Sequence, residues 1–160
     1  MALLEIQQLS KEYAMGQQIL RALDDVSLGI EKNEYVAITG SSGSGKSTML
    51  NILGCLDRPT QGKYILNSKD VSLMDPDELA EIRNREIGFI FQSFNLLTRA
   101  TALENVMQPL IYRGLRHRER KQLAEDALNH VGLGSRMDHL PNQLSGGQHR
   151  RPPIFSSTWI

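Results

Sequence analysis

The sequence predicts an α/β fold in which a strand-rich first part carries a helical insertion. Apolar residues alternate, or run together in short bursts, before residue 92, and recur at three- and four-residue spacing after it. A glycine- and serine-rich string, GSSGSGKST from Gly40 to Thr48, stands between an apolar run and a helical pattern. The 160 residues are 40% hydrophobic and 22% charged, which suits a soluble globular chain, because roughly 100–200 residues usually fold as one unit.

In chain order, LLEIQQL from Leu3 alternates as a strand should, and Val26, Leu28 and Ile30 lie on one side of a second alternating run. The turn-like EKNE, residues 31–34, leads into YVAIT, residues 35–39, a continuous apolar run of the kind found in buried central strands. After the glycine-rich string, Met49, Ile52, Leu53 and Leu56 follow at helical spacing. DRPTQG is dense in turn formers, and GKYILN reads as a return strand. Asp75, Pro76 and Glu78 form a helix start: an N-cap carboxylate, a proline at the first helical position and a reciprocal acid three residues on. IGFIF, residues 87–91, is a second apolar strand candidate that runs straight into Gln92. Thr101 and Glu104 make a capping box ahead of Leu103, Val106, Met107, Leu110 and Ile111, with Pro109 expected to kink that helix and Gly114 to end it. A further helix points Leu123, Ala124, Ala127, Leu128 and Val131 inward and stops at Gly132.

Charge and cysteine content narrow the function. Eighteen Lys+Arg balance eighteen Asp+Glu, which argues against a dedicated nucleic-acid binder, since those carry a basic excess. The balance hides a polarity: the first half is net acidic and the second net basic, with RGLRHRERK, residues 113–121, as the basic centre and a solvated helix start as its plainest reading. One cysteine forms no intrachain disulfide, so a reducing compartment is expected, and Cys55 reads as a small core residue. No apolar stretch approaches the roughly 18 residues of a membrane span, and MALLEIQQLSKEY lacks the layout of a signal peptide. His117, His130, His139 and His149 show no paired metal-ligand spacing.

The string from Gly40 to Ser47 fits the pattern GxxxxGK[ST], a phosphate-binding loop. Glycines at 40, 43 and 45 let the backbone turn its N–H groups inward around Ser41, Ser42 and Ser44 as a nest for phosphate oxygens. The helix that follows adds the positive end of its dipole. Lys46 supplies a point charge for the β- and γ-phosphates, and the Ser47 hydroxyl, with Thr48 next to it, is placed to ligate Mg²⁺.

A second string, LSGGQ from Leu144 to Gln148, decides among the many users of such a loop. A phosphate loop followed about a hundred residues later by LSGGQ resembles the ATP-binding subunits of ABC transporters; NILGCLDRPTQGKY and ENVMQPLIYRG are most similar to the lipoprotein-release and macrolide-export branch. The resemblance runs from about residue 3 to Gln148. It implies a P-loop ATPase core with an antiparallel β subdomain and a helical subdomain, ATP and Mg²⁺ as cofactors, and Tyr13 as an aromatic platform for adenine. It also implies that Gln92 touches Mg²⁺ and the attacking water and couples to a membrane subunit. Ser145, Gly146, Gly147 and Gln148 would face the ATP held by the opposite subunit of a head-to-tail dimer, which drives an integral-membrane permease from the cytoplasmic face of the membrane. In such systems substrate contacts lie mostly on the membrane subunits.

After Gln148 the resemblance stops, and the chain reads HRRPPIFSSTWI. Pro152 and Pro153 fall past the first turn of the expected helix, where each costs about 3 kcal/mol or more. The family continues with a helix, an apolar strand ending in Asp-Glu and a switch histidine. The sequence therefore predicts one incomplete ATP-binding domain, with a β-rich part at 1–92, a helical part with the signature loop at 93–148 and an unrelated tail at 149–160. The C-terminal part of the core is missing, as from a frameshift or truncated gene. Hydrolysis by the chain alone is expected to be poor, and YVAIT to lack strand partners. The competing expectations are a non-catalytic module that binds nucleotide or an intact subunit, and a soluble ABC-type ATPase of repair or translation, which usually carries two cassettes or a long coiled coil.

Overall fold

The computed structural model describes residues 2–90 and 96–149. The chain forms two compact units, Met1–Ala80 and Glu81–Ile160.

The first unit is built on an antiparallel sheet with strand order β2-β1-β3-β4: β1 is Leu4–Met15, β2 Gln18–Ile30, β3 Gln61–Leu66 and β4 Lys69–Asp70. Its long hairpin is not a simple alternation. The register slips between Ile6 and Leu9, where Gln8 takes φ +48°, so both of these odd-spaced side chains turn into the core. Ser27 Oγ accepts the Gln8 amide at 2.9 Å and Ser10 Oγ accepts the Asp25 amide at 3.0 Å, which satisfies the backbone that the bulges unpair. Beside the bulge Gly62 is obligatory, since a Cβ there would lie 2.6 Å from the Gln7 carbonyl oxygen.

Between β2 and β3 the chain forms α1, Lys46–Leu53, which buries Met49 and Ile52. Buried Tyr64 joins β3 to this helix, its hydroxyl donating to the Leu53 carbonyl at 2.8 Å. Burial, with Cys55 nearby, pushes that hydroxyl well above the usual tyrosine range. Cys55 is itself buried, whereas Leu56 lies beyond the helix and is exposed.

Neither apolar run expected as a central strand forms one here. Residues 35–39 and 87–90 carry no ladder among the described residues, Tyr35 is 95% exposed, and Phe91 lies outside them. A strand exists only through hydrogen bonds to a neighbour, and no other described segment supplies one.

The helix α2 spans Pro76–Glu86 and starts as expected: Asp75 Oδ1 accepts the Glu78 amide and Glu78 Oε2 accepts the Asp75 amide, at 2.9 and 2.8 Å. In the second unit α3, Ala102–Tyr112, and α4, His117–His130, pack through Val106, Ala124, Ala127 and Leu128, with Leu133 and Leu144 completing the core. Pro109 lies inside α3, which continues to Tyr112, and the Pro109 carbonyl accepts from Asn84 Nδ2 at 3.0 Å. Ile111, expected inward, is 47% exposed. α4 closes at Gly132: the Gly132 amide reaches the Asn129 carbonyl and the Leu133 amide the Leu128 carbonyl, at 2.9 and 2.8 Å, the paired bonds of a Schellman end. No helix among the described residues is long and apolar enough to cross a membrane.

Candidate functional site

The Gly40–Thr48 loop takes its shape from the strand it backs onto. Gly45, the residue before α1, has φ +83°, and a Cβ on it would collide with the Ala22 carbonyl oxygen of β2 and lie 2.9 Å from the Leu23 side chain. Only glycine brings the helix start this close to the hairpin. No side chain caps α1, whereas Thr101 caps α3 and Asp75 caps α2. A helix leaves its first four N–H groups without intrahelical partners, so this uncapped, glycine-led end presents donors and a positive dipole end.

Lys46 returns along the loop, its Nζ donating to the Gly40 carbonyl at 2.9 Å and the Ser41 carbonyl at 2.6 Å, with Ser44 Oγ at 3.4 Å. The ammonium therefore sits inside the curve of the loop. Ser41, Ser42, Gly43, Ser44 and Ser47 are exposed, and Lys46 and Thr48 are half-buried. A Cβ at Gly43 would meet nothing within 4 Å. Backbone donors, a lysine and a serine hydroxyl form a donor set that suits a phosphate chain with a hard cation beside it.

Tyr13 stands near the end of β1. Its hydroxyl donates to Asp57 Oδ2 at 2.8 Å, and the Thr48 side chain is a further hydrogen-bonding neighbour. Burial and the facing Asp57 carboxylate hold this hydroxyl above the usual tyrosine range. Asp57 also takes Lys11 Nζ on Oδ1 at 2.6 Å. Burial raises the Asp57 carboxyl, but Lys11, Tyr13 and the Arg58 amide outweigh it and leave the group below the usual carboxylate range. Lys11 and Asp57 escape sequence reading because they lie 46 positions apart; the only signal is that Lys11 and Tyr13 alternate on one strand.

In the second unit the last three residues of the LSGGQ string, Gly146, Gly147 and Gln148, lie in a short helix, α5, Gly146–His149, with Leu144 and Ser145 leading into it. Ser145 Oγ accepts the Gln148 amide at 3.3 Å and Gln148 Oε1 accepts the Ser145 amide at 2.8 Å, so these two side chains close a capping box on each other. Gly146 and Gly147 are exposed, and a Cβ on either would meet nothing within 4 Å. The loop's approach is fixed by α3, whose first amides reach back: Ala102 N–H donates to the His139 carbonyl at 2.9 Å and Leu103 N–H to the Met137 carbonyl at 3.0 Å. Buried Asn105, which no motif marks, ties down the preceding turn, accepting the Leu97 amide at 2.8 Å and donating to the carbonyls of Ala100 and Thr101 at 3.0 and 2.9 Å. Gln92, Pro152 and Pro153 lie outside the described residues.

A family model described as ABC transporter matches residues 23–158, ten residues past the point where the sequence resemblance was expected to end. The macrolide export ATP-binding/permease protein MacB of Shewanella sp. (strain W3-18-1) is 53% identical over 153 residues, which cover 96% of this chain and 24% of that protein. An uncharacterized ABC transporter ATP-binding protein of Thermotoga maritima is 54% identical over 151 residues, covering 94% of this chain and 64% of that one. Among solved structures, the ATP-binding cassette MJ0796, in a dimeric post-hydrolysis state bound to ADP and Pi, superposes with a TM-score of 0.84 at 46% identity, covering 94% of this chain and 67% of that chain. This chain thus spans about a quarter of MacB and less than two thirds of the Thermotoga protein.

Proposed function

The chain belongs to the ABC transporter family, and from that premise we propose that it is the ATP-binding part of a transporter subunit acting on the cytoplasmic face of a membrane. The observation that carries the reading is the start of α1, uncapped by any side chain, pressed against β2 through Gly45 and curved around the Lys46 ammonium. On this reading the backbone N–H groups of residues 43–47 and the Lys46 charge hold the β- and γ-phosphates of ATP, and Ser47 and Gln92 contribute to Mg²⁺. Mg²⁺, when bound, neutralises charge that develops on the phosphate oxygens. Tyr13 offers its ring to adenine.

Gly146 and Gly147, with Ser145 and Gln148, serve the nucleotide of a second subunit in a head-to-tail dimer. The name of the MJ0796 cassette, dimeric with ADP and Pi, supports that assembly. The names of the MacB relatives support coupling to a permease and an export role. These 160 residues contain no apolar strand ending in Asp-Glu, so the chain by itself binds MgATP but turns it over slowly, lacking the carboxylates that anchor the metal and polarise water.

Titration of the 160-residue chain with MgATP, beside Lys46→Ala, tests both halves. The expected result is saturable binding weakened at least about tenfold in the variant, the scale of losing one charge-assisted contact, with hydrolysis near background in both. Equal affinities overturn the phosphate-loop assignment, and robust turnover abolished by Lys46→Ala overturns the claim of slow hydrolysis.

A further inference from the structure

The arrangement around Tyr13 holds the ring more firmly than a surface tyrosine needs. Asp57 lies just past α1 and uses both carboxylate oxygens on side chains of β1: Oδ1 on Lys11 Nζ at 2.6 Å and Oδ2 on the Tyr13 hydroxyl at 2.8 Å. The carboxylate is held in turn by the Arg58 amide at 2.7 Å on Oδ1. Lys11 Nζ also donates to the Arg58 carbonyl at 2.6 Å and lies 4.9 Å from the centre of the Tyr13 ring. The ring is therefore held by its Cα on a strand, by its hydroxyl on Asp57 with Thr48 as a further neighbour, and by an ammonium against one face.

We propose that Asp57, acting with Lys11, is a positioning residue that holds the Tyr13 ring in place for a purine base on its remaining face. The proposal rests on the reading of Tyr13 as the adenine platform. A free aromatic side chain must be ordered when a ligand stacks on it, and a ring tethered beforehand avoids that loss. An ammonium on one face also draws π-density toward itself, which leaves the other face better matched to an electron-rich purine. The Lys11–Asp57 pair is mostly out of water, with side-chain exposures of 12% and 31%, so the tether is not a freely solvated surface contact.

The test compares ATP with inorganic tripolyphosphate, which carries the phosphates and no base, on the full 160-residue chain. Asp57→Ala is expected to weaken ATP about three- to tenfold, the size of one side-chain ordering loss, while tripolyphosphate affinity is unchanged. Tyr13→Phe, which releases the same tether from the other end and keeps the ring, should match it, and the double variant should be no weaker than either single one. An equal loss of both ligands in Asp57→Ala and Tyr13→Phe means a merely structural role and overturns the proposal. So does an unchanged ATP preference in both, provided Tyr13→Ala loses it. If Tyr13→Ala itself keeps the preference, the platform reading fails and the positioning role with it. Should Asp57→Ala not fold, Tyr13→Phe decides beside Thr48→Ala, which removes the hydroxyl's other hydrogen-bonding neighbour and leaves Asp57 in place: an ATP-selective loss in Tyr13→Phe alone supports the proposal, and one shared by Thr48→Ala overturns it.

Discussion

Replacing Gly45 by alanine probes what places the Gly40–Thr48 loop. Two costs add at this position. A non-glycine residue held at φ +83° pays about 1–2 kcal/mol for the left-handed conformation. The new Cβ also meets the Ala22 carbonyl oxygen and the Leu23 side chain at 2.9 Å, and forcing a methyl group into packed structure costs about 1–3 kcal/mol more. Gly43 separates the two, since it has nearly the same φ, +80°, with nothing within 4 Å of a Cβ. Gly43→Ala is therefore expected to lose about 1–2 kcal/mol and Gly45→Ala about 2–5 kcal/mol. Urea unfolding followed by circular dichroism reads the difference as a shift in midpoint. MgATP titration reads it again, because α1 can relieve the clash only by backing away from β2. If the two variants lose equal stability and bind equally well, the contact with Ala22 does not position the loop, and the account of the site's construction fails.

Asn105→Ala strips a buried turn of its partners, leaving the Leu97 amide and the Ala100 carbonyl unpaired while the Thr101 carbonyl keeps the residue-105 backbone amide, and should cost about 2–6 kcal/mol at about 1–3 kcal/mol per stranded group that stays dry. Hydrogen exchange at Leu97 should rise while the β unit keeps its protection; unchanged protection at Leu97 refutes the role. Asp57 titrates below its ordinary value in the folded chain, so the stability it contributes is present above the unfolded carboxylate pKa of about 4 and is lost as pH falls through the lower folded value. Acid unfolding of the wild type should carry that loss below about pH 4 and Asp57→Asn should lack it; identical acid profiles speak against the Lys11–Asp57–Tyr13 cluster.

What the sequence made legible is what local chemistry decides. The caps at Asp75 and Thr101, the stop at Gly132, the glycine-led turn into α1 and the return strand after DRPTQG all depend on residues within a few positions of one another. YVAIT and IGFIF read as strands because of their composition, but pairing is a property of two segments, and the described residues hold no partner for either. The bulge at Gln8 was invisible for a related reason: strict alternation places Ile6 and Leu9 on opposite faces, and the register slip that reunites them is paid for by Ser27, distant in sequence. Within the site, Tyr13 was visible as a residue but its setting was not, since Asp57 looked like one turn former among several.

The two bonds from the start of α3 to the chain at Met137 and His139 make that helix a strut. One end carries exposed Tyr112, and the other end grips the chain six residues before Ser145. Eleven residues at about 1.5 Å each set the strut at roughly 16 Å. The lead into LSGGQ is therefore tied to the same helix whose far end stands in solvent. Between His139 and Ser145 the chain makes one 3-10 turn, Pro141–Gln143, and plants Leu144 in the core, so Gly146 and Gly147 stand on a short lead anchored at both ends and not on a free loop.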